Sequence, residues 1–131
     1  MRFVLYSSLS RIPAAVTPEL VEGLVAHARN RNRRLNVTGC LILGAGRFSQ
    51  WLEGPHQNVA MLMDDIIADT RHSDLLVLTS GSSAVRRFAE WSLGYSGGSV
   101  FISQAIGSGE NDRGARIISI MEHLAGYNST G

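Results

Sequence analysis

Residues 37–44 read VTGCLILG and residues 47–54 read RFSQWLEG, two β-prone segments separated only by Ala45-Gly46. So short a link joins two strands only as an antiparallel hairpin. Helical periodicity lies on both sides of it. Upstream, Leu20, Leu24 and Ala28 recur every four residues after Thr17-Pro18-Glu19, which supply an N-cap, a first-turn proline and a first-turn acid. That helix should end near Arg34. Downstream, HQNVAMLMDDIIADT (56–70) sets Val59, Leu62, Met63, Ile66 and Ile67 on one inward stripe. RFVLYSS (2–8) reads as a strand before the first helix and LLVLTS (75–80) as a strand after the second. A polar turn then leads to RRFAEWSLGY (86–95), read as a last strand.

The order is therefore β-α-β-β-α-β-β. Strand–helix–strand crossovers with short connections are right-handed, so both helices fall on one face of a mixed sheet. We expect an α+β, ferredoxin-like architecture with one added strand. The opposite face then needs cover. SGGS (96–99) leads to a short helix expected at 100–107 and an amphipathic helix over 112–127. Ile117, Ile118, Met121 and Leu124 of the latter either lie on the bare face or dock on a second subunit. The expected division is one domain over 1–95 and a linker with C-terminal helices over 96–131.

At 131 residues, with 44% hydrophobic and 18% charged side chains, the chain can bury one real core. A net charge of +1 gives no field to attract nucleic acid. No apolar run is long enough to span a bilayer, and MRFVLYSS lacks a signal-peptide layout, so a cytoplasmic location is expected. Cys40 is the single cysteine, which excludes an internal disulfide. All 12 basic residues are arginines, which rules out Schiff-base and phosphate-loop lysine chemistry. The four histidines show no metal-ligand spacing.

A few polar groups interrupt the apolar faces. In the 47–54 strand Phe48, Gln50 and Leu52 share one face, while Ser49, Trp51 and Glu53 share the other. Tyr6 shares a face of the first strand with Val4. Asn32 continues the Leu24/Ala28 row, with Asn30 as its rival, and Asp69 ends the Leu62/Ile66 row. Buried amides and phenols need partners, at about 1–3 kcal/mol for each one left unpaired. Either these residues satisfy one another or a polar ligand lies between the helices. A slot walled by Leu24, Ala28, Leu62 and Ile66, with amides along one edge, suits a flat ring whose faces are apolar and whose rim is polar.

The chain resembles the BLUF family of flavin-using blue-light sensors over about residues 2–95. The resemblance rests on LYSS (5–8), ARNRN (28–32) with NVTG (36–39), FSQWLEGP (48–55), DTRH (69–72) and RRF with the tryptophan at 91, taken in this order. It implies a non-covalently bound flavin: FAD, with FMN or riboflavin as alternatives. It implies that Tyr6 and Gln50 form the photoactive pair. Tyr6 gives an electron to the excited flavin, a proton follows through Gln50, and the glutamine amide ends rearranged. The changed hydrogen bond at the flavin C4 carbonyl gives a small red shift that reverses in the dark.

By the same resemblance Asn32 bonds the pyrimidine edge, and Asp69, Arg71 and His72 lie near the ribityl side. Trp91 stands where the family has a signalling tryptophan, while Leu93 stands where methionine is common. That departure bears on a relay through the Trp91/Leu93 pair. A short member without an attached effector domain is expected, non-enzymatic and signalling through a downstream protein partner or a change in homo-oligomeric assembly. Two other classes compete: a flavin-free interaction module, and an acylphosphatase-like enzyme, for which no Gly-rich phosphate cradle is present.

Overall fold

The computed structural model describes residues 1–11, 18–44, 47–89, 94–97, 117–119 and 121–122. Its elements are β1 (Arg2–Ser10), α1 (Pro18–Arg34), β2 (Thr38–Gly44), β3 (Arg47–Gly54), α2 (His56–Ala68), β4 (His72–Ser82) and β5 (Gly94–Gly97). The strands lie in the order β4-β1-β3-β2-β5. Each neighbouring pair among the first four is antiparallel, and β5 joins β2 in parallel. This is the α+β, ferredoxin-like sheet expected from the element order, with its added strand at the β2 edge.

Local chemistry sets the boundaries. α1 ends with Asn36 in the left-handed region (φ 56°). The amide of Val37 donates to the Asn32 carbonyl (2.9 Å) and that of Asn36 to the Arg33 carbonyl (3.1 Å). This is a Schellman closure with asparagine in place of glycine. Arg31, Arg33 and Arg34 occupy the last turn, where positive charge complements the helix dipole. α2 begins directly after Pro55, and Asn58 Nδ2 donates to the Leu35 carbonyl (2.7 Å), tying its start to the end of α1.

Two apolar layers sandwich the sheet. On one side Val4, Tyr6, Leu52 and Val37 meet Val59, Leu62, Met63 and Ile66 of α2. On the other, Leu5, Cys40, Ile42, Trp51 and Phe88 meet Ile117 and Met121. Residues 117–119 and 121–122 are helical. Of the two fates considered for the C-terminal helix, its described residues take the first: they cover the sheet of their own chain. Gly39 is required by close approach, since a Cβ there would stand 1.8 Å from the Trp51 carbonyl oxygen.

Three local expectations are corrected. Ile67 is 60% exposed, because Val59, Leu62, Met63 and Ile66 take the whole inward arc and Ile67 lies a further 100° round the helix. β4 runs from His72 to Ser82, longer than expected, with register shifts opposite Leu5/Tyr6 and Ser7/Leu9. Residues 86–89 are not strand, and β5 begins only at Gly94. The reason is side-chain anchoring. The Glu53 carboxylate accepts the amides of Arg87 and Phe88 (both 2.7 Å), so those groups are unavailable to a ladder. Thr17, the Ala45-Gly46 turn, Trp91, Leu93, the 100–107 helix and Leu124 lie outside the described residues.

Candidate functional site

The central strands put the two expected reactive side chains opposite each other. β1 and β3 pair Tyr6 with Gln50 and Val4 with Leu52. Side chains alternate across a strand, so all four face α1 and α2. Tyr6 and Gln50 are each 4% exposed, and the Tyr6 hydroxyl donates a hydrogen bond to Gln50 Oε1. The amide then presents Nε2, its donor end, on its other corner. Burial pushes the Tyr6 phenol well above its ordinary pKa; the charge of Arg31 opposes that push and the charge of Asp69 adds to it. The phenol therefore keeps its proton, which it directs at Gln50 Oε1.

Asn32 closes the site from α1. It is fully buried, and among the described residues neither its Oδ1 nor its Nδ2 has a hydrogen-bond partner. Its backbone carbonyl is pinned by Val37 in the Schellman closure, so the side chain is held inside. The adjacent Arg31 has a buried Nε, also without a partner. A buried polar group left unpaired costs about 1–3 kcal/mol; among the described residues Ser7 Oγ, Ser49 Oγ and Trp51 Nε1 are in the same condition, but only Arg31 and Asn32 bring three such atoms together on neighbouring residues. Asn30, the rival amide, is exposed.

The four residues expected to wall the slot are not alike. Leu62 and Ile66 of α2 are buried against β1 and β3. Leu24 and Ala28 of α1 are only half-buried, and no described side chain of α1 joins the cluster under α2. Val25 of the same helix is buried, so among the described residues Leu24 and Ala28 are the apolar side chains of α1 left partly uncovered. A planar group with a polar rim fits these residues: an apolar strip for its face, and the orphaned atoms of Asn32 for its edge.

Asp69, Arg71 and His72 divide. Asp69 and Arg71 form a local bidentate ion pair at the end of α2. The hydrogen bonds from Arg71 hold the Asp69 carboxyl down at about 2, and the carboxylate in turn raises the guanidinium pKa. His72 turns inward instead. Its Nε2 donates to the Ile66 carbonyl (2.5 Å), leaving Nδ1 to accept the Ser8 hydroxyl (2.7 Å). The ring stands edge-on to both Tyr6 and Phe48, with centroids 6.2 Å away.

Trp51 and Glu53 point to the opposite face, as the alternation of β3 requires. Trp51 stacks on Phe3 (centroids 4.9 Å apart) beneath the Arg87 guanidinium. A cavity of about 250 Å³ opens there beside Phe3, Trp51, Glu53 and Arg86, across the sheet from Tyr6 and Gln50. Cys40 lies in this far layer too, its thiol pushed up to about 12 by burial. The sheet separates it from the Tyr6 side.

Two groups escaped the sequence reading. Arg86 donates to Thr38 Oγ1 (2.7 Å), the Glu53 carbonyl (3.0 Å) and the Asn36 carbonyl (2.7 Å), joining β2, β3 and the connection between α1 and β2. No local pattern signals contacts so far apart in the chain. Arg31 had a signal: it lies three residues after Ala28 on the inward side of α1. Among the described residues no helix is long and apolar enough to cross a membrane.

Comparison with known proteins identifies the family. The chain is 31% identical over 91 residues to the photoactivated adenylate cyclase subunit beta of Euglena gracilis, covering 70% of this chain and 11% of that protein. It is 36% identical over 70 residues to the blue light- and temperature-regulated antirepressor BluF of Escherichia coli (strain K12), covering 53% of this chain and 17% of that protein. The chain therefore spans a small part of the length of these relatives. The dark-state structure of BlrB, a BLUF protein, superposes with a TM-score of 0.80 at 23% identity, over 94% of this chain and 96% of that one, and supports the fold. The family described as sensors of blue-light using FAD matches residues 1–94, and the chain belongs to it: this is a BLUF domain.

Proposed function

We propose that the chain is a blue-light photosensory module in which Tyr6 and Gln50 carry the photochemistry of a non-covalently held flavin. The observation that supports this reading most is the buried Tyr6–Gln50 hydrogen bond together with Asn32, whose amide is buried and, among the described residues, unpartnered at both ends. FAD is the flavin named in the family's description. When bound, the flavin supplies light absorption and an electron-accepting ring.

The residues have separate tasks. Asn32 satisfies its amide on the ring's polar edge, while Leu24, Ala28, Leu62 and Ile66 exclude water from its faces. Tyr6 is the electron donor, and its proton leaves through the oxygen of Gln50 that already accepts its hydrogen bond. Gln50 carries both a donor and an acceptor, so reorienting or tautomerising its amide exchanges what it offers to its two neighbours. That exchange is the stored signal. His72, held by Ser8 and Ile66, packs against the Tyr6 ring and keeps its rotamer.

No step of this cycle turns over a substrate. The output passes to a protein partner or to a change in assembly. Membership of a sensor family leaves the acylphosphatase-like reading of the same fold without support.

The test is the absorption spectrum of the purified protein in the dark and directly after blue light. A structured flavin band that shifts slightly to the red and recovers in the dark is expected. Gln50→Leu should keep the flavin and lose the shift. A normal shift in that variant removes Gln50 from the mechanism, and a bound flavin unmoved by light removes the reading altogether.

A further inference from the structure

The cavity of about 250 Å³ lies across the sheet from Tyr6 and Gln50, so it is separate from the slot between the helices. Phe3, Trp51 and the exposed Val85 give it apolar walls. Most polar groups around it are already engaged. The Glu53 carboxylate accepts the amides of Arg87 and Phe88. The Ser83 hydroxyl donates to the Val85 carbonyl (2.8 Å), and Arg86 spends its donors on Thr38, Glu53 and Asn36. Arg87 differs. Its side chain is 41% exposed, and its guanidinium lies 5.0 Å over the Trp51 ring at the cavity wall. Among the described residues its ion-pair partner is Glu122 of the C-terminal helix, a carboxylate that is itself 49% exposed. An exposed pair of this kind is weak, so another carboxylate can take its place.

Size and chemistry narrow what fits. Drug-sized ligands need about 300–1,000 Å³, so this cavity admits only a compact molecule of one or two rings. A guanidinium fork selects a carboxylate, which it meets bidentately. Aromatic walls favour a ring on that carboxylate, packed edge-on or offset against them. We propose that the cavity binds a small aromatic carboxylate, which pairs with Arg87 in place of Glu122 and lays its ring against Phe3, Trp51 and Val85. Binding then competes with a contact that ties the C-terminal helix to the segment after β4. The site stands on its own residues and does not rest on the flavin reading.

The test titrates benzoate into the isotope-labelled full chain, loaded with FAD and kept dark, at constant ionic strength. Loading fills the slot between the helices, and two-dimensional proton–nitrogen NMR follows the Trp51 indole N–H and the amides of 83–87. These signals should move along a saturable curve with a dissociation constant of about 1 mM or tighter. Benzamide, which keeps the ring and loses the charge, should bind about tenfold more weakly. Arg87→Gln should weaken benzoate by about the same factor. It keeps the backbone amide on Glu53, so the fold survives, and the same spectrum checks it. Glu122→Gln leaves Arg87 intact, removes the competitor and should tighten benzoate about threefold. Signals that do not move, equal affinity for benzamide, or undiminished binding in Arg87→Gln overturns the proposal. Unchanged or weaker binding in Glu122→Gln overturns the exchange of partners at Arg87. A chain that takes up no FAD defeats the photosensor reading, while the Arg87 and Glu122 variants still decide this site.

Discussion

Replacing Glu53 should unfasten the segment that follows β4. Its carboxylate is 1% exposed and accepts two backbone amides, from Arg87 and Phe88, each at 2.7 Å. Hydrogen bonds to a charged group contribute about 1.5–3 kcal/mol each. The Phe88 bond is buried, so Glu53→Ala leaves that amide unpaired, whereas water reaches the Arg87 amide and recovers part of its loss. Removing a buried charge returns some desolvation energy. The balance is a destabilisation of about 3 kcal/mol, a large share of the roughly 5–15 kcal/mol that holds a domain of this kind together. Urea unfolding followed by tryptophan fluorescence reads it directly: with an m value of about 1.5 kcal/mol/M the midpoint should fall by about 2 M at unchanged slope. Glu53→Gln keeps one acceptor and turns a donor toward the other amide, so it should lose about half as much. Glu122→Gln is the control. It breaks an exposed ion pair with Arg87 and should shift stability by less than about 1 kcal/mol. A loss below about 1 kcal/mol in Glu53→Ala would refute the anchoring argument.

Three further outcomes are expected. Gly39→Ala forces a Cβ against the Trp51 carbonyl, which has no flexible end to yield, and should destabilise the hairpin by about 3 kcal/mol; near-native thermal stability would show that β2 and β3 separate more easily than their register implies. Asp69 titrates at about 2 in the fold against about 3.9 unfolded, so its contribution is present above pH 4 and lost as pH falls toward 2. Because Arg71 is half exposed that contribution is at most about 1 kcal/mol, and Asp69→Asn should flatten this part of the acid limb; an unchanged slope between pH 4 and 2 counts against it. With its thiol pushed up to about 12, Cys40 should react slowly with a disulfide reagent at pH 8, where roughly one thiol in 10,000 is ionised, and rapidly in urea. Fast labelling of the folded protein would place Cys40 at the surface.

What the sequence determined by itself is local and periodic. Alternation along β1 and β3 sufficed to put Tyr6 and Gln50 on the helix side and Trp51 and Glu53 on the other, because a strand has only two faces. Spacing along α2 identified Val59, Leu62, Met63 and Ile66, and the row through Leu24 and Ala28 led to Asn32. The same logic overreached at Ile67, since periodicity gives the direction of a stripe but not its width. Tertiary structure decided what depends on partners distant in the chain. RRFAEWSLGY has strand-like composition, yet residues 86–89 leave the sheet because Glu53, Thr38 and Asn36 claim Arg86 and the following amides from 33 to 50 residues away. Which side the C-terminal helix covers was likewise settled only by Ile117 and Met121 filling the layer around Trp51. The unpaired state of Asn32 and Arg31 is of this second kind as well. A sequence shows that a polar residue lies on an inward stripe; only the packed fold shows that nothing among the described residues meets it.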